Sequence, residues 1–254
     1  MNLYSGIVIT FNEEKNIRDC LVSLFRVCDD VVVIDSNSQD NTVEIARGMG
    51  ATVLTQDFLG DGPQRSIGLP HCRHNWIVYI DADERLDEDL VAALPTLDLN
   101  NDAIEAYECR RKNHFNGRWI KVAGQYPDYI CRIFNKSKTD FSKLQIHARI
   151  ETKKLKRIPG HILHYSFDSL RDLIARMNQY SDWQSQTLAE RGMQVSGFAP
   201  FFHGLSSFIK FYLIRRGFMA GLDGLTISIG NAMGTYFKYA KLIEINKRRA
   251  NKPA

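Results

Sequence analysis

Two aspartates one residue apart, Asp81 and Asp83, follow directly on a strand-like apolar run from Trp76 to Ile80. Ile77, Val78, Tyr79 and Ile80 suit a buried central strand, and no helical periodicity begins before Leu86 and the acidic turn after it. Both carboxylates are therefore placed at the carboxyl end of a strand, which is where open α/β sheets bind ligands. Carboxylates on so short a turn offer hard oxygen ligands to one divalent cation such as Mg²⁺ or Mn²⁺. The bland alternative for a bare D-x-D is an acidic surface turn capping a helix near residues 87 to 94. What favours the ligand-binding reading is the position after a fourth strand.

The elements that must hold these residues are visible upstream. Residues 5 to 10 form a short apolar strand, and Asn12 with Glu13 and Glu14 reads as a helix N-cap with acids in the first turn. Ile17, Cys20, Leu21, Leu24 and Cys28 then recur at helical spacing. A second strand spans residues 31 to 35, a polar turn leads to a helix that Gly48 and Gly50 terminate, and a third strand spans 51 to 55. Strands alternating with helices imply a Rossmann-like α/β domain with a mainly parallel sheet, its post-strand loops gathered on one rim. Residues 10–13, 35–38 and 81–83 should share that rim. Residues 100 to 160 carry short mixed strands, such as 106–109 and 130–134, and read as the second half of the same domain.

From Asp168 the pattern is helical, and after Gly192 it becomes aromatic. Phe201, Leu205, Phe208 and Tyr212 fall on one helical face, and Phe218, Leu222, Leu225 and Ile229 on another. The expected organisation is a domain over residues 1–165 and an amphipathic helical extension over 166–254. The chain of 254 residues has a net charge of +4, unevenly distributed. From His203 onward nine Lys and Arg face only Asp223 and Glu244, a tail charge of +7 that leaves −3 for the rest. Aromatic faces with basic residues suggest a tail lying on the inner face of the cytoplasmic membrane, although the same faces would suit packing on the domain or a dimer seam. No apolar run reaches the length of a membrane span and no signal peptide is visible, so a cytoplasmic, peripheral location is expected. Five widely spaced cysteines without a C-x-x-C pair point away from zinc and redox roles. A nicotinamide dinucleotide is disfavoured because Gly6 is the only glycine between residues 5 and 16. Nucleic acid is disfavoured because the basic tail contains no recognisable module. Asp35, ending the second strand, is available to a ribose or base, or else caps its turn.

Residues 7–14 (IVITFNEE), 31–46 (VVVIDSNSQDNTVEIA) and 79–86 (YIDADERL) resemble the signature segments of inverting family 2 glycosyltransferases with the GT-A fold. Residues 110–120, 124–134 and 164–166 resemble the lipopolysaccharide-core β-glucosyltransferase branch of that family. The resemblance implies that Thr10, Asn12, Glu13 and Asp35 contact the uridine of a UDP-sugar and that Arg65 sits over the nucleotide. It also implies a divalent metal, Mg²⁺ or Mn²⁺, held on the diphosphate by Asp83 and Asp81, with Asp81 shared toward the ribose. Hexose transfer, with glucose implied by the branch, to a cell-envelope glycan or glycolipid such as lipopolysaccharide core is the expected activity.

An inverting transfer needs a general base beyond the sugar from the leaving group, and Asp128 is the expected one. Pro127 biases the preceding residues toward extended backbone, and Asp128 opens a strand-like run in the YPD segment that the related branch shares. Glu151 is its rival and Asp140 a weaker one. His147-Ala148 departs from the His-Glu of related sequences and removes a carboxylate. That departure keeps open a non-catalytic sugar-nucleotide-binding or scaffold protein of the same fold. Arg110, Arg111, Lys112 and Arg132 are candidates for contacts to phosphates or an anionic acceptor.

Overall fold

A computed structural model describes residues 4–142, 149–167 and 169–250 of the chain. The first half contains β1 (Tyr4–Thr10), α1 (Ile17–Phe25), β2 (Asp30–Asp35), α2 (Thr42–Gly48), β3 (Thr52–Thr55), α3 (Asp61–Ser66), β4 (Trp76–Asp81), β5 (Glu84–Leu86) and α4 (Glu88–Ala93). The second contains β6 (Ala106–Phe115), β7 (Arg118–Trp119), β8 (Asp128–Asn135), β9 (Leu155–Phe167), α5 (Leu170–Glu190), α6 (Ala199–Phe208) and α7 (Gly221–Ala250). They fold as two compact units, Met1–Lys112 with Asp128–His164, and Asn113–Pro127 with Tyr165–Ala254.

Among the described residues the strands run in the order β3-β2-β1-β4-β8-β6-β9-β5, with β7 on β6. The pairs β1/β2, β1/β4 and β2/β3 are parallel. From β4 onward the pairs β4/β8, β6/β8 and β5/β9 are antiparallel. The expectation of a mainly parallel sheet therefore holds for the first four strands only, and the whole is a mixed α/β sheet. The reason is the loss of helical crossovers, which parallel neighbours require. Asn116 and Gly117 both take positive φ and turn β6 directly back into β7, the favoured Asn-Gly hairpin.

The central strands are apolar on both faces because both are covered. Val8, Val33, Val78 and Ile80 face one core with Ile17, Leu21, Leu24 and Leu90, while Ile7, Val32, Ile34 and Ile77 face a second with Phe134 and Phe141. This is the period-two division expected of a strand buried on both sides. Asp87 fixes the start of α4 by accepting from Leu90 N–H at 3.0 Å and from His161 N–H at 2.8 Å. Next to it, β9 passes so close to α4 that only glycine fits at position 160.

In the second unit α7 packs along α5 and α6, and Phe115, Ile120, Ala123 and Ile227 form a small core with Leu173. Lys241 Nζ joins α7 to α5 through Asp182 at 2.7 Å and Asn178 Oδ1 at 2.8 Å. No helix among the described residues is long and apolar enough to cross a membrane.

Gly160 has φ +89°, and a Cβ there would lie 2.4 Å from the backbone nitrogen of Leu90. Gly160→Ala is expected to lower stability by about 2 kcal/mol or more, because it combines a disfavoured backbone with a clash against a helix that cannot yield. Chemical denaturation read by circular dichroism checks this, with Gly48→Ala as the comparison that meets nothing within 4 Å.

Candidate functional site

The carboxyl ends of β1, β2 and β4 bring the sequence-predicted residues to one rim, because these strands are neighbours in parallel register. Thr10 ends β1 opposite Asp35 of β2, and its buried hydroxyl has no hydrogen-bond partner. Asn12 does not cap α1, contrary to the sequence reading. That helix begins at Ile17, while Asn12 adopts a left-handed backbone (φ 54°) that asparagine tolerates. It is held instead by the facing loop: its N–H donates to Ser38 Oγ and its Oδ1 accepts from Gln39 N–H, both at 2.8 Å. Glu13 N–H donates to Thr42 Oγ1. Asp35 is buried and accepts from Ser38 N–H at 2.9 Å, so it caps its own turn while its oxygens keep further lone pairs.

Gln64 on α3 closes this rim from beside β3. Its Oε1 accepts from Leu59 N–H and its Nε2 donates to Ser36 Oγ. One residue on, the Arg65 guanidinium reaches both Asp61 and Asp81 at 2.7 Å and lies 5.3 Å from the Tyr79 ring centroid. Arg132 of β8 approaches the same ring at 4.9 Å, donating to Asp81 Oδ2 at 3.0 Å and to Glu84 Oε1 at 2.7 Å. Glu84 is wholly inaccessible. Its other oxygen accepts from Asp81 N–H at 3.1 Å, which pins the turn carrying the two aspartates. Arg111 of β6 then bridges Glu84 at 3.2 Å and Asp128 at 2.9 Å. An unbroken alternation results: Asp61, Arg65, Asp81, Arg132, Glu84, Arg111, Asp128.

Burial alone would raise the Asp81 carboxyl pKa, but the Arg65 and Arg132 guanidiniums hold it far below the usual carboxylate range. The buried Nη1 of Arg65 and Nε of Arg132 have no hydrogen-bond partner. Unsatisfied donors beside Asp81 are what an anionic ligand would complete. Asp83 is nearly buried, and its Oδ2 lies 3.4 Å from His164 Nε2, because β9 pairs with β5 in the register Glu84↔His164. Asp83 offers the hard carboxylate oxygen that Mn²⁺ or Mg²⁺ accepts, with the His164 imidazole beside it, so the residues present can hold a divalent metal. Asp81, gripped by two guanidiniums, fits a direct ligand role less well than Asp83.

A model of the family described as "Glycosyl transferase family 2" matches residues 5–162. The chain belongs to that family. It is a glycosyltransferase. An uncharacterized glycosyltransferase of Rickettsia felis is 30% identical over 257 residues, covering 96% of this chain and 90% of the relative. The lipopolysaccharide core biosynthesis glycosyltransferase LpsC of Rhizobium meliloti is 25% identical over 254 residues, covering 97% and 94%. Among solved structures, that of S. aureus TarS 1-349 in complex with UDP aligns at a TM-score of 0.46 and 17% identity, over 97% of this chain and 91% of that one. The α/β fold with a mixed sheet and C-terminal helix is GT-A-like.

Of the remaining basic residues in this glycosyltransferase, Arg111 and Arg132 belong to the ion-pair chain and Lys112 pairs with Asp87. Asp87, Asp89 and His161 also bring three ligand atoms within 4.8 Å of one another. Asp87 there already accepts from two backbone N–H groups, from His161 Nδ1 at 3.0 Å and from Lys112, which describes a helix cap. Burial pushes the His161 imidazole down, toward its neutral form. Glu151 and Asp140 are both exposed, and Asp140 Oδ1 accepts from Phe141 N–H. His147 and Ala148 lie outside the described residues. Sequence reasoning missed Glu84, Gln64 and the pairing of His164 with Asp83. For Glu84, Asp83 and His164 the available signal was membership of the DADERL and HYS segments; Gln64 carried none.

Replacing Glu84 by Gln keeps the shape but leaves Arg111 and Arg132 short of a buried counter-charge. The expected loss is about 3 kcal/mol of unfolding free energy, the scale for breaking a buried ion pair from one side. Urea unfolding measures it, and Glu88→Gln, which touches only an exposed pair with Arg26, should leave the midpoint where it was.

Proposed function

We propose that this family 2 enzyme transfers a hexose, glucose being the first candidate, from a UDP-sugar with inversion to a cell-envelope glycan or glycolipid such as lipopolysaccharide core. What carries the reading is the ion-pair chain at the strand ends. It fixes Asp81, gives Arg65 an unused N–H beside it, and ends on Asp128 four ion pairs away. The name of the LpsC relative supports the acceptor class. In this reading residues 1–165 are the catalytic domain and 166–254 an extension that contacts the cytoplasmic membrane face peripherally.

Thr10, Asn12, Glu13 and Asp35 hold the uridine, with the unpartnered Thr10 hydroxyl turned to it. Arg65 places its free N–H on the diphosphate, while Asp81 orients Arg65 and reaches toward the ribose. Asp83 and His164 would hold the divalent metal, with Asp81 as a secondary contact. The metal, when bound, neutralises charge that grows on the departing diphosphate, a contribution of several kcal/mol. Charge balance supports that requirement. The chain from Asp61 to Asp128 contains four carboxylates and three guanidiniums, and Asp83 adds a fifth carboxylate. A site already negative needs a further cation before it accepts an anionic diphosphate.

Asp128 takes the proton from the acceptor hydroxyl as its oxygen attacks the anomeric carbon. The bond from that carbon to the diphosphate oxygen breaks, and UDP leaves with the electron pair. Arg111 holds the Asp128 carboxylate in place through this exchange.

Turnover of UDP-glucose and other UDP-sugars, with Mg²⁺ or Mn²⁺ and then with excess chelator, tests the assignment. Activity is expected only with metal, and Asp83→Ala, Asp83→Asn and His164→Ala should each abolish it; full activity in chelator rules the metal site out.

Asp128→Asn is expected to leave UDP-sugar binding nearly intact, read by calorimetry, and to cut transfer about 10² to 10⁴-fold. Normal transfer by Asp128→Asn alongside a dead Glu151→Gln would move the base to Glu151.

A further inference from the structure

The tail does not distribute its apolar surface or its charge evenly. Between α6 and α7 the chain forms a π-helical turn, Ile209–Ile214, and a short 3-10 turn, Gly217–Ala220, with left-handed backbone at Arg216 and Gly221. Over residues 198–222 the side chains of Phe198, Phe201, Phe202, Ile214, Met219 and Leu222 are each more than half exposed. Phe202, Leu205, Ile209 and Ile214 line an open apolar depression of about 550 Å³ edged by Lys210 and Arg215. Large apolar side chains at this density have a partner of their own.

The charge indicates which partner. No Asp or Glu lies between Glu190 and Asp223, whereas Lys210, Arg215 and Arg216 are all exposed within the apolar segment. Of the cations farther along α7, Lys241 binds Asn178 and Asp182, Lys238 lies over the Tyr239 ring, Arg248 pairs with Glu244 and Arg249 donates to the Ala189 carbonyl, while Lys247 is exposed but lies outside the apolar segment. Exposed positive charge and exposed aromatic surface thus coincide within residues 198–222, where no carboxylate offsets them. A second copy of the chain is a poor occupant, because a two-fold interface sets the same patch against itself and would press these cations together with no carboxylate between them. An anionic bilayer satisfies both features, accepting aromatic and aliphatic side chains at the headgroup boundary and cations at the phosphates.

We propose that residues 198–222 are a wedge that inserts into the interfacial layer of an anionic bilayer, with Lys210, Arg215 and Arg216 at the level of the lipid phosphates. This rests on the peripheral membrane contact proposed above and assigns it to one segment, excluding the basic end of α7.

The full chain is sedimented with phosphatidylcholine vesicles, with and without phosphatidylglycerol, at low and high salt. Binding to the anionic vesicles is expected, weakening with salt. Lys210→Gln with Arg215→Gln and Arg216→Gln should lower the anionic partition coefficient on the order of 100-fold. Phe198→Ser with Phe202→Ser should lower it about tenfold or more. Lys247→Gln with Arg248→Gln should leave it unchanged, and thermal melts should show all three variants folded. If the parent chain stays in the supernatant with anionic vesicles at low salt, this assignment and the membrane reading both fall. If it binds but the Lys247 and Arg248 pair matters as much as the Lys210, Arg215 and Arg216 set, membrane contact stands and the assignment is wrong. If Phe198→Ser with Phe202→Ser splits a dimer in sedimentation velocity while vesicle binding persists, the surface is a self-association seam and the proposal is overturned.

Discussion

Glu84 is a carboxylate without access to solvent, and the rest of the site follows from how its charge is met. Ionised and alone it would cost several kcal/mol of desolvation, so it has to sit against cations. Arg132 comes from β8 and Arg111 from β6, strands that stand side by side in the sheet but arrive from far along the chain. Buried ion clusters contribute little net stability compared with well-packed apolar side chains. What this one contributes is position. Through its second oxygen Glu84 holds the Asp81 N–H, and through the arginines it relates that turn to Asp128.

Tyr79 plays the complementary part. Its ring lies under both Arg65 and Arg132, so two like charges share one aromatic platform within reach of Asp81. Both guanidiniums can stay there because carboxylates alternate with them: Asp61 and Asp81 on one, Asp81 and Glu84 on the other. Removing the Asp81 charge would leave the two guanidiniums beside one ring with one shared counter-charge fewer. The first aspartate of the D-x-D is thereby part of the frame as much as part of the rim.

Much of the first sheet half was legible in the sequence. Apolar runs at residues 31–35 and 76–80 have one strong reading each, and their carboxyl ends fall on the rim as local patterning requires. The family segments added the resemblance and, with it, the candidate residues. Three things were hidden. Asn12 has the composition of a helix cap, yet its contacts are set by a loop more than twenty residues away, so local propensity placed the start of α1 too early. Glu84 reads as one more acid in an acidic turn, since nothing local shows that it points inward toward strands not yet formed. His164 depends on the β5/β9 register, which links residues too far apart for periodicity to reveal. In each case a long-range pairing decided the role, and a pattern of nearest neighbours has no access to that.

The placement of Asp128 decides how firmly its carboxylate is held. The chain leaves the first unit after Lys112 and returns to it at Asp128. Arg111 and Asp128 are also partners in the β6/β8 ladder. The ion pair between their side chains thus reinforces a backbone rung at the point of departure and return, and Arg111 is itself anchored on the buried Glu84. Displacing the Asp128 carboxylate means breaking a charge-assisted hydrogen bond to a guanidinium that cannot follow it. Its position relative to Asp81 is accordingly fixed within the first unit alone, through Arg111, Glu84 and Arg132, whatever path residues 113–127 take. The base role proposed for Asp128 needs a carboxylate that meets an acceptor hydroxyl to within a fraction of an ångström, and a mounting of this kind would hold it there.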